Sequence, residues 1–326
     1  MHYLVTGGAG FIGSHLCDRL LANGDQVTVL DDLSTGRYEN IAGLEDHPHF
    51  RLIVETARNE QLLEGLVREC DAIFHLASVV GVRLVMDRPV QTIEAVFEVT
   101  ASVLKMASTF RRKVLLASSS EVYGKSKDVP FHEDGDRLEG PTSKHRWAYS
   151  CAKALDEFLA LAHWKESRLP VVCARLFNTV GPRQRGRYGM VLPRFVAAAL
   201  AGEPLLVHGD GNQSRCFCHV ADVIDGLVGL MNCAEANGNV VNVGSNRETT
   251  IGELAQLVVS IVESSSEIKY VKYDEVYGEG FEDMRRRVPD LGRIERLIGW
   301  KPRRDINTII SDVRDSLQTQ PRSSMP

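Results

Sequence analysis

The stretch that decides the fold is TGGAGFIGSH, residues 6–15. Its glycines satisfy both G-x-x-G-x-x-G (Gly7, Gly10, Gly13) and G-x-G-x-x-G (Gly8, Gly10, Gly13). The stretch follows a short apolar segment typical of a strand and opens a segment with helical spacing. Glycines let a backbone approach a pyrophosphate, and the N-terminus of a helix stabilises its negative charge. This strand–turn–helix context predicts a dinucleotide-binding site at the start of the chain.

The next predicted strand, QVTVLDD (26–32), indicates which dinucleotide is bound, because it ends at Asp31. An acidic side chain at this position accepts hydrogen bonds from the adenosine ribose and repels a 2′-phosphate. We therefore predict NAD rather than NADP as the cofactor. Besides the three glycines of the first pattern and Asp31, the predicted cofactor contacts are Phe11, Ile12, Asp32, Leu76, Ala77, Tyr149 and Lys153.

Further apolar segments alternate with helical ones through the first half of the chain. The strand-like segments are FRLIV (50–54), AIFHLAS (72–78), KVLLASSS (113–120) and LPVVCARLFN (169–178). Apolar strands that alternate with helices are typical of a parallel sheet covered by helices on both faces. The predicted fold class is α/β, a Rossmann-type doubly wound parallel sheet with a smaller, interleaved C-terminal substrate domain.

The alternation loosens after about residue 178, where turn-rich stretches carry many Arg and Gly residues. We predict an NAD-binding domain over residues 1–177, with 216–244 returning to it as a helix and a strand. Residues 178–215 and 245–318 would form the domain that binds a sugar nucleotide. The polar tail, 319–326, is expected to be frayed.

Composition narrows the class of protein. The 326 residues are 44% hydrophobic and 25% charged, the balance of a soluble enzyme. The net charge is −5, with no basic block longer than three residues, so we expect no nucleic-acid partner. No apolar run approaches a membrane span, and the first strand leaves no room for a signal peptide. Seven cysteines without a pairing framework indicate reduced thiols and a cytoplasmic protein. The CFCH stretch (216–219) lacks a second ligand pair, so no metal site is predicted.

The segment RWAYSCAKALDEF (146–158) carries the predicted chemistry. Tyr149 and Lys153 are four residues apart and share a helix face. A buried ammonium lowers the pKa of a neighbouring phenol, so Tyr149 could act as general base while hydride leaves a substrate carbon for NAD. The same helix has a stripe of small and apolar residues that predicts core packing or the helix bundle of a homodimer, namely Ala148, Ala152, Leu155, Leu159 and Ala162.

Seven motifs together resemble the extended short-chain dehydrogenase/reductases that modify nucleotide sugars, over nearly the whole chain. They are TGGAGFIGSH, HLAS, ASSSEVYG, YSCAK, LFNTVGPR, GDGNQSRCF and RRRVPD…IGWKP. The resemblance implies that bound NAD oxidises a sugar at C4 and usually reduces it again. It places Ser119 where a hydroxyl bonds the sugar 4-hydroxyl, and His208 where many UDP-sugar enzymes carry an aromatic residue near the uracil. The implied substrate contacts are Ser120, Asn178, Arg187, Val191, His208, Arg215 and Arg287.

The stretch ASSSEVYG (117–124) places Glu121 at the end of a buried strand, where a carboxylate is costly to desolvate. We therefore ask what function Glu121 serves. In the family that the chain resembles, 4-epimerases typically lack an acid here and 4,6-dehydratases usually carry Asp-Glu. The Ser-Glu of this chain resembles the UDP-glucuronate decarboxylases. YGEGFEDMRRRVPD (277–290) is similar to the decarboxylase domain of the aminoarabinose modification of lipid A, where the arginine matching Arg287 is regarded as catalytic. The predicted catalytic set is Tyr149, Lys153, Ser119, Glu121 and Arg287.

The resemblance therefore favours a UDP-glucuronate decarboxylase, in which C4 oxidation yields a β-keto acid that loses CO2. The alternative is a UDP-hexose or UDP-hexuronate 4-epimerase. A third possibility, from another class, is a non-catalytic NAD-binding regulator, but such a protein has no need of Tyr149, Lys153 and Ser119. Arg83, in the 78–90 loop, could pair with a substrate carboxylate, although a solvated arginine is the commoner case.

Overall fold

The computed structural model describes residues 1–78, 89–186, 190–272, 276 and 284–319. Its centre is a sheet of seven parallel strands in the order β11–β6–β5–β4–β1–β2–β3. The strands are β1 (His2–Thr6), β2 (Gln26–Asp31), β3 (Phe50–Val54), β4 (Ala72–His75), β5 (Lys113–Ser119), β6 (Val171–Leu176) and β11 (Asn239–Val243). The predicted α/β class with a doubly wound parallel sheet is confirmed.

Helices cover both faces of this sheet, because successive side chains of each strand point to opposite sides. One face packs against α1 (Phe11–Ala22), α6 (Val220–Asn232) and α8 (Gly292–Ile298). The other packs against α2 (Glu60–Glu69), α3 (Pro89–Phe110) and α4 (Ala148–Ser167). In β5, for example, Leu115 joins the first core and Val114 and Leu116 join the second.

Most of the remaining elements form a smaller lobe with its own core, whereas Cys218 belongs to the first core of the sheet. Its helices are α5 (Val191–Ala201), α7 (Ile251–Val262) and α9 (Ile306–Thr319). Three two-stranded sheets accompany them: β7 (Thr179–Val180) with β10 (Cys218–His219), β9 (Ser214–Cys216) with β12 (Glu248–Thr250), and β8 (Leu205–His208) with β13 (Ile268–Val271). Helix α7 begins with a reciprocal capping box between Thr250 and Glu253, which fixes its first turn.

Beneath the sheet edge where β5 and β6 end lies a buried polar network. The Arg175 guanidinium donates to both carboxylate oxygens of Glu157, at 2.9 and 2.7 Å, and the Ser118 hydroxyl donates to the same carboxylate. Asn242 of β11 donates to the backbone carbonyls of Phe131 and Asp290. The bonds of Glu157 join the ends of β5 and β6 to helix α4, and those of Asn242 join β11 to the segments that contain Phe131 and Asp290.

Among the described residues, none of the helices combines the length and hydrophobicity that crossing a bilayer requires. Residues 320–326 of the tail that we expect to be frayed lie outside the described ranges.

Candidate active site

A cleft of about 970 Å³ opens at the carboxyl ends of β1, β4, β5 and β6 and continues into the smaller lobe. Ligands of open α/β sheets bind at this edge. All the predicted catalytic, cofactor and substrate positions within the described residues line the cleft, except Lys153, whose side chain is buried beside it. Arg187 and Arg83 lie outside the described residues.

The glycine turn packs so closely against neighbouring backbone that its residues have no space for side chains. Gly7 has a φ of +74°, and a methyl group there would lie 2.7 Å from the Ala77 nitrogen. A methyl group on Gly13 would collide with the carbonyl oxygen of Gly7. Gly10, the N-cap of α1, carries no side chain that could bond the first N–H groups of the helix. These N–H groups have no partner within the helix, so the turn can receive an anion such as a pyrophosphate.

Asp31 lies at the end of β2 and accepts hydrogen bonds from the backbone nitrogens of Ala9 and Leu33, both at 2.9 Å. Its carboxylate is nearly buried, and burial raises its pKa. An ionised carboxylate has about four acceptor positions, so two remain for ribose hydroxyls. The glycine turn and the N-terminus of α1 would hold the phosphates of NAD, and Asp31 would hold its adenosine ribose.

Ser119 and Tyr149 both line the cleft. Ser119 ends β5, and its hydroxyl oxygen accepts a hydrogen bond from the Glu121 nitrogen at 3.2 Å, where the chain turns into a short 3-10 helix, Ser120–Tyr123. Tyr149 sits on the first turn of α4. Burial raises the pKa of Tyr149, while the charge of Lys153 opposes this rise. The lysine thus acts in the predicted direction, but burial outweighs it.

Lys153 forms an ion pair that the sequence reasoning missed. Its Nζ lies 3.0 Å from Oδ2 of Asp156, and both side chains are almost fully buried. Asp156 follows Lys153 by one helical turn, so the i,i+3 spacing of an acid after the lysine was the available signal.

Glu121 lies between two arginines. Its Oε2 is 2.6 Å from Nη1 of Arg146, and its Oε1 is 2.6 Å from Nη2 of Arg287. Burial alone would raise the pKa of Glu121, but the two guanidinium groups outweigh it and lower the pKa to about 2. Glu121 is therefore a carboxylate throughout the physiological range and holds no proton to donate. Arg146 was not predicted, since a single arginine before a helix carries no sequence signal of its partner.

The smaller lobe contributes Asn178, Val191, His208 and Arg215 to the cleft. His208 Nε2 lies 3.1 Å from Nη1 of Arg194, a second arginine that the sequence did not single out. Burial and the Arg194 charge lower the pKa of His208 to about 4, so the imidazole is neutral at pH 7. Arg215 is buried and donates to the Ser214 carbonyl at 2.8 Å. This end of the cleft offers a neutral aromatic ring together with guanidinium groups.

A Rossmann sheet with a glycine turn, an acidic residue after β2 and a Tyr-x-x-x-Lys helix beside the same cleft defines an extended short-chain dehydrogenase/reductase. The family model described as GDP-mannose 4,6 dehydratase matches residues 4–313. The chain therefore belongs to this family of NAD-dependent enzymes.

Relatives sharpen this assignment. The chain is 40% identical, over 92% of either chain, to the UDP-N-acetyl-alpha-D-glucosaminuronate decarboxylase of Bacillus cytotoxicus. It is 39% identical to the UDP-glucuronic acid decarboxylase 1 of Danio rerio, over 92% of this chain and 68% of the relative. A solved UDP-glucuronic acid 4-epimerase from Bacillus cereus, in complex with UDP-glucuronic acid and NAD, superposes with a TM-score of 0.88 at 28% identity, covering 98% of this chain and 99% of the other.

Proposed function

We propose that this protein is an NAD-dependent UDP-hexuronate decarboxylase that acts through oxidation of C4, with UDP-glucuronate as the first candidate substrate. The observation that carries the proposal is Glu121 held between Arg146 and Arg287 in the cleft that also contains Ser119 and Tyr149. The two decarboxylases at 39–40% identity support the same reaction class.

In the proposed first step, Tyr149 accepts the proton of the sugar 4-hydroxyl, which Ser119 orients by hydrogen bonding. NAD, when bound, supplies the acceptor for the C4 hydride. Lys153 stabilises the phenolate form of Tyr149 through its positive charge.

Oxidation of C4 turns the hexuronate into a β-keto acid, whose C5–C6 bond then breaks with release of CO2. The bonding electrons pass to the C4 oxygen as an enolate, and C5 then takes up a proton from water. The enolate is an added negative charge in a buried site, and preorganised positive groups stabilise such charge without reorganisation. Arg287, fixed by Glu121, is the proposed group for this task. Glu121 serves as the anion that holds the guanidinium in place rather than as the proton donor.

A 4-epimerase is the second candidate, because the fold superposes on the UDP-glucuronic acid 4-epimerase of Bacillus cereus. Both candidates take a UDP-hexuronate, so the substrate class is common to them and only the fate of C6 differs.

The experiment is to incubate the purified protein with NAD and, in separate reactions, UDP-glucuronate and UDP-N-acetylglucosaminuronate, and to analyse the nucleotide sugars by mass spectrometry. Loss of CO2 from either substrate is the expected result, and Tyr149→Phe should abolish it. An isomer of unchanged mass would make the protein an epimerase. Recovery of both substrates unchanged would overturn the whole proposal.

We propose the domain division of the sequence analysis as well: residues 1–177 and 216–244 bind NAD, and 178–215 with 245–318 bind the sugar nucleotide. The separate core of the smaller lobe supports this division.

We also propose a cytoplasmic location, which the seven unpaired cysteines support.

We propose a homodimer that buries the outer faces of α3 and α4 in a four-helix bundle. The predicted stripe on α4 divides in the structure: Ala152 is buried against α3, whereas Leu155 is 48% exposed. Phe158 of α4 and Val90 and Ile93 of α3 are exposed as well. An apolar patch on two packed helices supports a second copy as its partner.

A further inference from the structure

The ion pair between Lys153 and Asp156 is almost completely buried beside the cleft. The side chains are 2% and 0% exposed, and Nζ lies 3.0 Å from Oδ2. A lysine that only needed to stabilise the Tyr149 phenolate would do so best without a carboxylate beside it, since a neighbouring anion offsets the ammonium charge. The pair therefore raises the question of what Asp156 contributes.

Groups from several elements face the pair and Tyr149. Beyond the end of β5, the Glu121 carboxylate raises the pKa of Tyr149, as Asp156 does, whereas a hydrogen bond with Ser78 lowers it. Helix α4 itself carries Tyr149 and Glu157, but the Glu157 carboxylate is engaged by Arg175 and Ser118. From α3, the Thr100 hydroxyl lies near the Asp156 carboxylate, whose pKa is raised by burial and lowered by the Lys153 charge, with burial the larger effect. From β4, His75 is buried near Lys153, and burial lowers its pKa to about 3, so the imidazole is neutral.

His75 also fixes the position of Thr100. Its Nε2 lies 3.1 Å from the Thr100 hydroxyl and its Nδ1 lies 2.7 Å from the hydroxyl of Thr6, which precedes the glycine turn. The Thr100 hydroxyl donates to the carbonyl of Val96 at 2.9 Å, so it accepts from the imidazole. This chain of hydrogen bonds fixes His75 and Thr100 beside the ion pair.

We propose that Asp156 is a positioning residue that fixes the Lys153 ammonium and partly neutralises it, and so sets the pH at which Tyr149 becomes a base. With Asp156 charged, Lys153 stabilises the phenolate only partially. Without that charge, the Tyr149–Lys153 pair releases its first proton at a lower pH, because an uncompensated ammonium favours the zwitterion with a phenolate. Asp156 thus keeps Tyr149 protonated until the pH approaches the working range.

This inference rests on the proposed role of Tyr149 as base but not on the fate of C6. Its first readout is the ionisation of Tyr149, which needs no substrate, so it stands or falls separately from decarboxylation.

The test compares Asp156→Asn with the parent protein, each in its NAD-bound form, by ultraviolet phenolate absorbance against pH. The spectrum of Tyr149→Phe is subtracted to isolate Tyr149. The expected result is a phenolate midpoint about one pH unit lower in Asp156→Asn. The acid limb of the rate of NAD reduction should move by the same amount with UDP-glucuronate, or with whichever UDP-sugar reduces the cofactor.

Thr100→Val is the matched control, because it disturbs the same buried cluster but removes no charge. Its phenolate midpoint should stay close to that of the parent. An unchanged midpoint in folded Asp156→Asn, or an equal shift in Thr100→Val, would overturn the proposal. Asp156→Ser is a second variant that removes the charge. If neither Asp156 variant folds while Thr100→Val does, Asp156 serves folding alone and the proposal is also overturned.

Discussion

Oε1 of Glu121 lies 2.6 Å from Nη2 of Arg287, so the end of β5 is joined to the C-terminal segment of the chain inside the cleft. Arg146 approaches the other carboxylate oxygen from the start of α4. One buried anion therefore orients two guanidinium groups from distant parts of the sequence. A carboxylate that pairs with one guanidinium through each oxygen fixes both donors before a substrate arrives.

Replacing Arg287 should separate the two chemical stages of the proposed reaction, which are hydride transfer from C4 and release of CO2. Arg287→Lys keeps the charge but loses the planar guanidinium that meets Glu121, so CO2 release should slow by about 10²-fold. Hydride transfer from C4 should be much less affected, because Tyr149 and Ser119 remain. Single-turnover absorbance of the reduced cofactor, with CO2 measured in the same samples, would distinguish the two stages.

Arg286→Gln is the matched control for that variant. Arg286 is adjacent in sequence, but its partner is Glu248 in a solvent-exposed pair. Surface pairs contribute little, so both stages should proceed at parental rates. If Arg286→Gln and Arg287→Lys slow CO2 release equally, the effect comes from the total charge of residues 285–287. This result would contradict a specific role for Arg287.

The Glu121 ion pairs should make stability depend on pH in the acid range. The pKa of Glu121 is about 2 in the folded protein, below its ordinary 4.5. Its charge therefore stabilises the fold above about pH 4.5, and this contribution is lost as the pH falls toward 2. At pH 7, Glu121→Gln should lower the free energy of unfolding by about 3 kcal/mol. Urea unfolding between pH 7 and pH 3 should show this difference shrinking with acid.

Glu139→Gln is the control for the stability measurement. Glu139 is partly buried and accepts a hydrogen bond from Ser150, and burial raises its pKa. Folding therefore does not stabilise its charged form, and the variant should show no stability loss that acid removes. A difference for Glu121→Gln that stays constant with pH would contradict the ion-pair account.

Substitutions at Gly36 and Gly43 test whether Asp31 binds the ribose of NAD. A methyl group on Gly36 would lie 2.7 Å from both carboxylate oxygens of Asp31, whereas one on Gly43 meets nothing within 4 Å. Gly36→Ala should displace the carboxylate and weaken NAD binding by about tenfold, the loss of roughly one charged hydrogen bond. Titration of cofactor-free protein with NAD, followed by tryptophan fluorescence, measures this. Equal affinities for Gly36→Ala and Gly43→Ala would exclude Asp31 from the cofactor site.

The proposed dimer can be tested with two exposed leucines. Leu155→Glu puts a charge into the α3–α4 patch and should yield monomers in sedimentation equilibrium. Leu206, on β8 in the smaller lobe, is 43% exposed, so Leu206→Glu should leave the association unchanged. A parent protein that sediments as a monomer would disprove the dimer outright.

The parts of the site that the sequence revealed are those encoded within one or two elements. The glycine turn, Asp31 after β2 and the Tyr149–Lys153 spacing are each local patterns, and local spacing reflects the geometry of a turn or helix. Arg146 and Arg194 escaped detection because their partners, Glu121 and His208, lie on other elements. No local pattern records a contact that only the packed fold creates.

The sequence also could not show which of several opposing contributions to the pKa of Tyr149 is the largest. The sequence predicted that Lys153 lowers the pKa of Tyr149, which is the direction of its contribution. It could not weigh that charge against burial or against the Asp156 carboxylate, because both depend on how α3 and β4 pack over α4.

The strand order has a consequence for how this protein is made. β11 pairs with β6, yet it leaves the ribosome only after α5, the strands β7 to β10 and α6 have been synthesised. Until then β6 presents an unpaired edge, and an unpaired edge can recruit other strands. The nascent chain must therefore shelter that edge, and a polypeptide that stops before residue 239 can never complete its sheet.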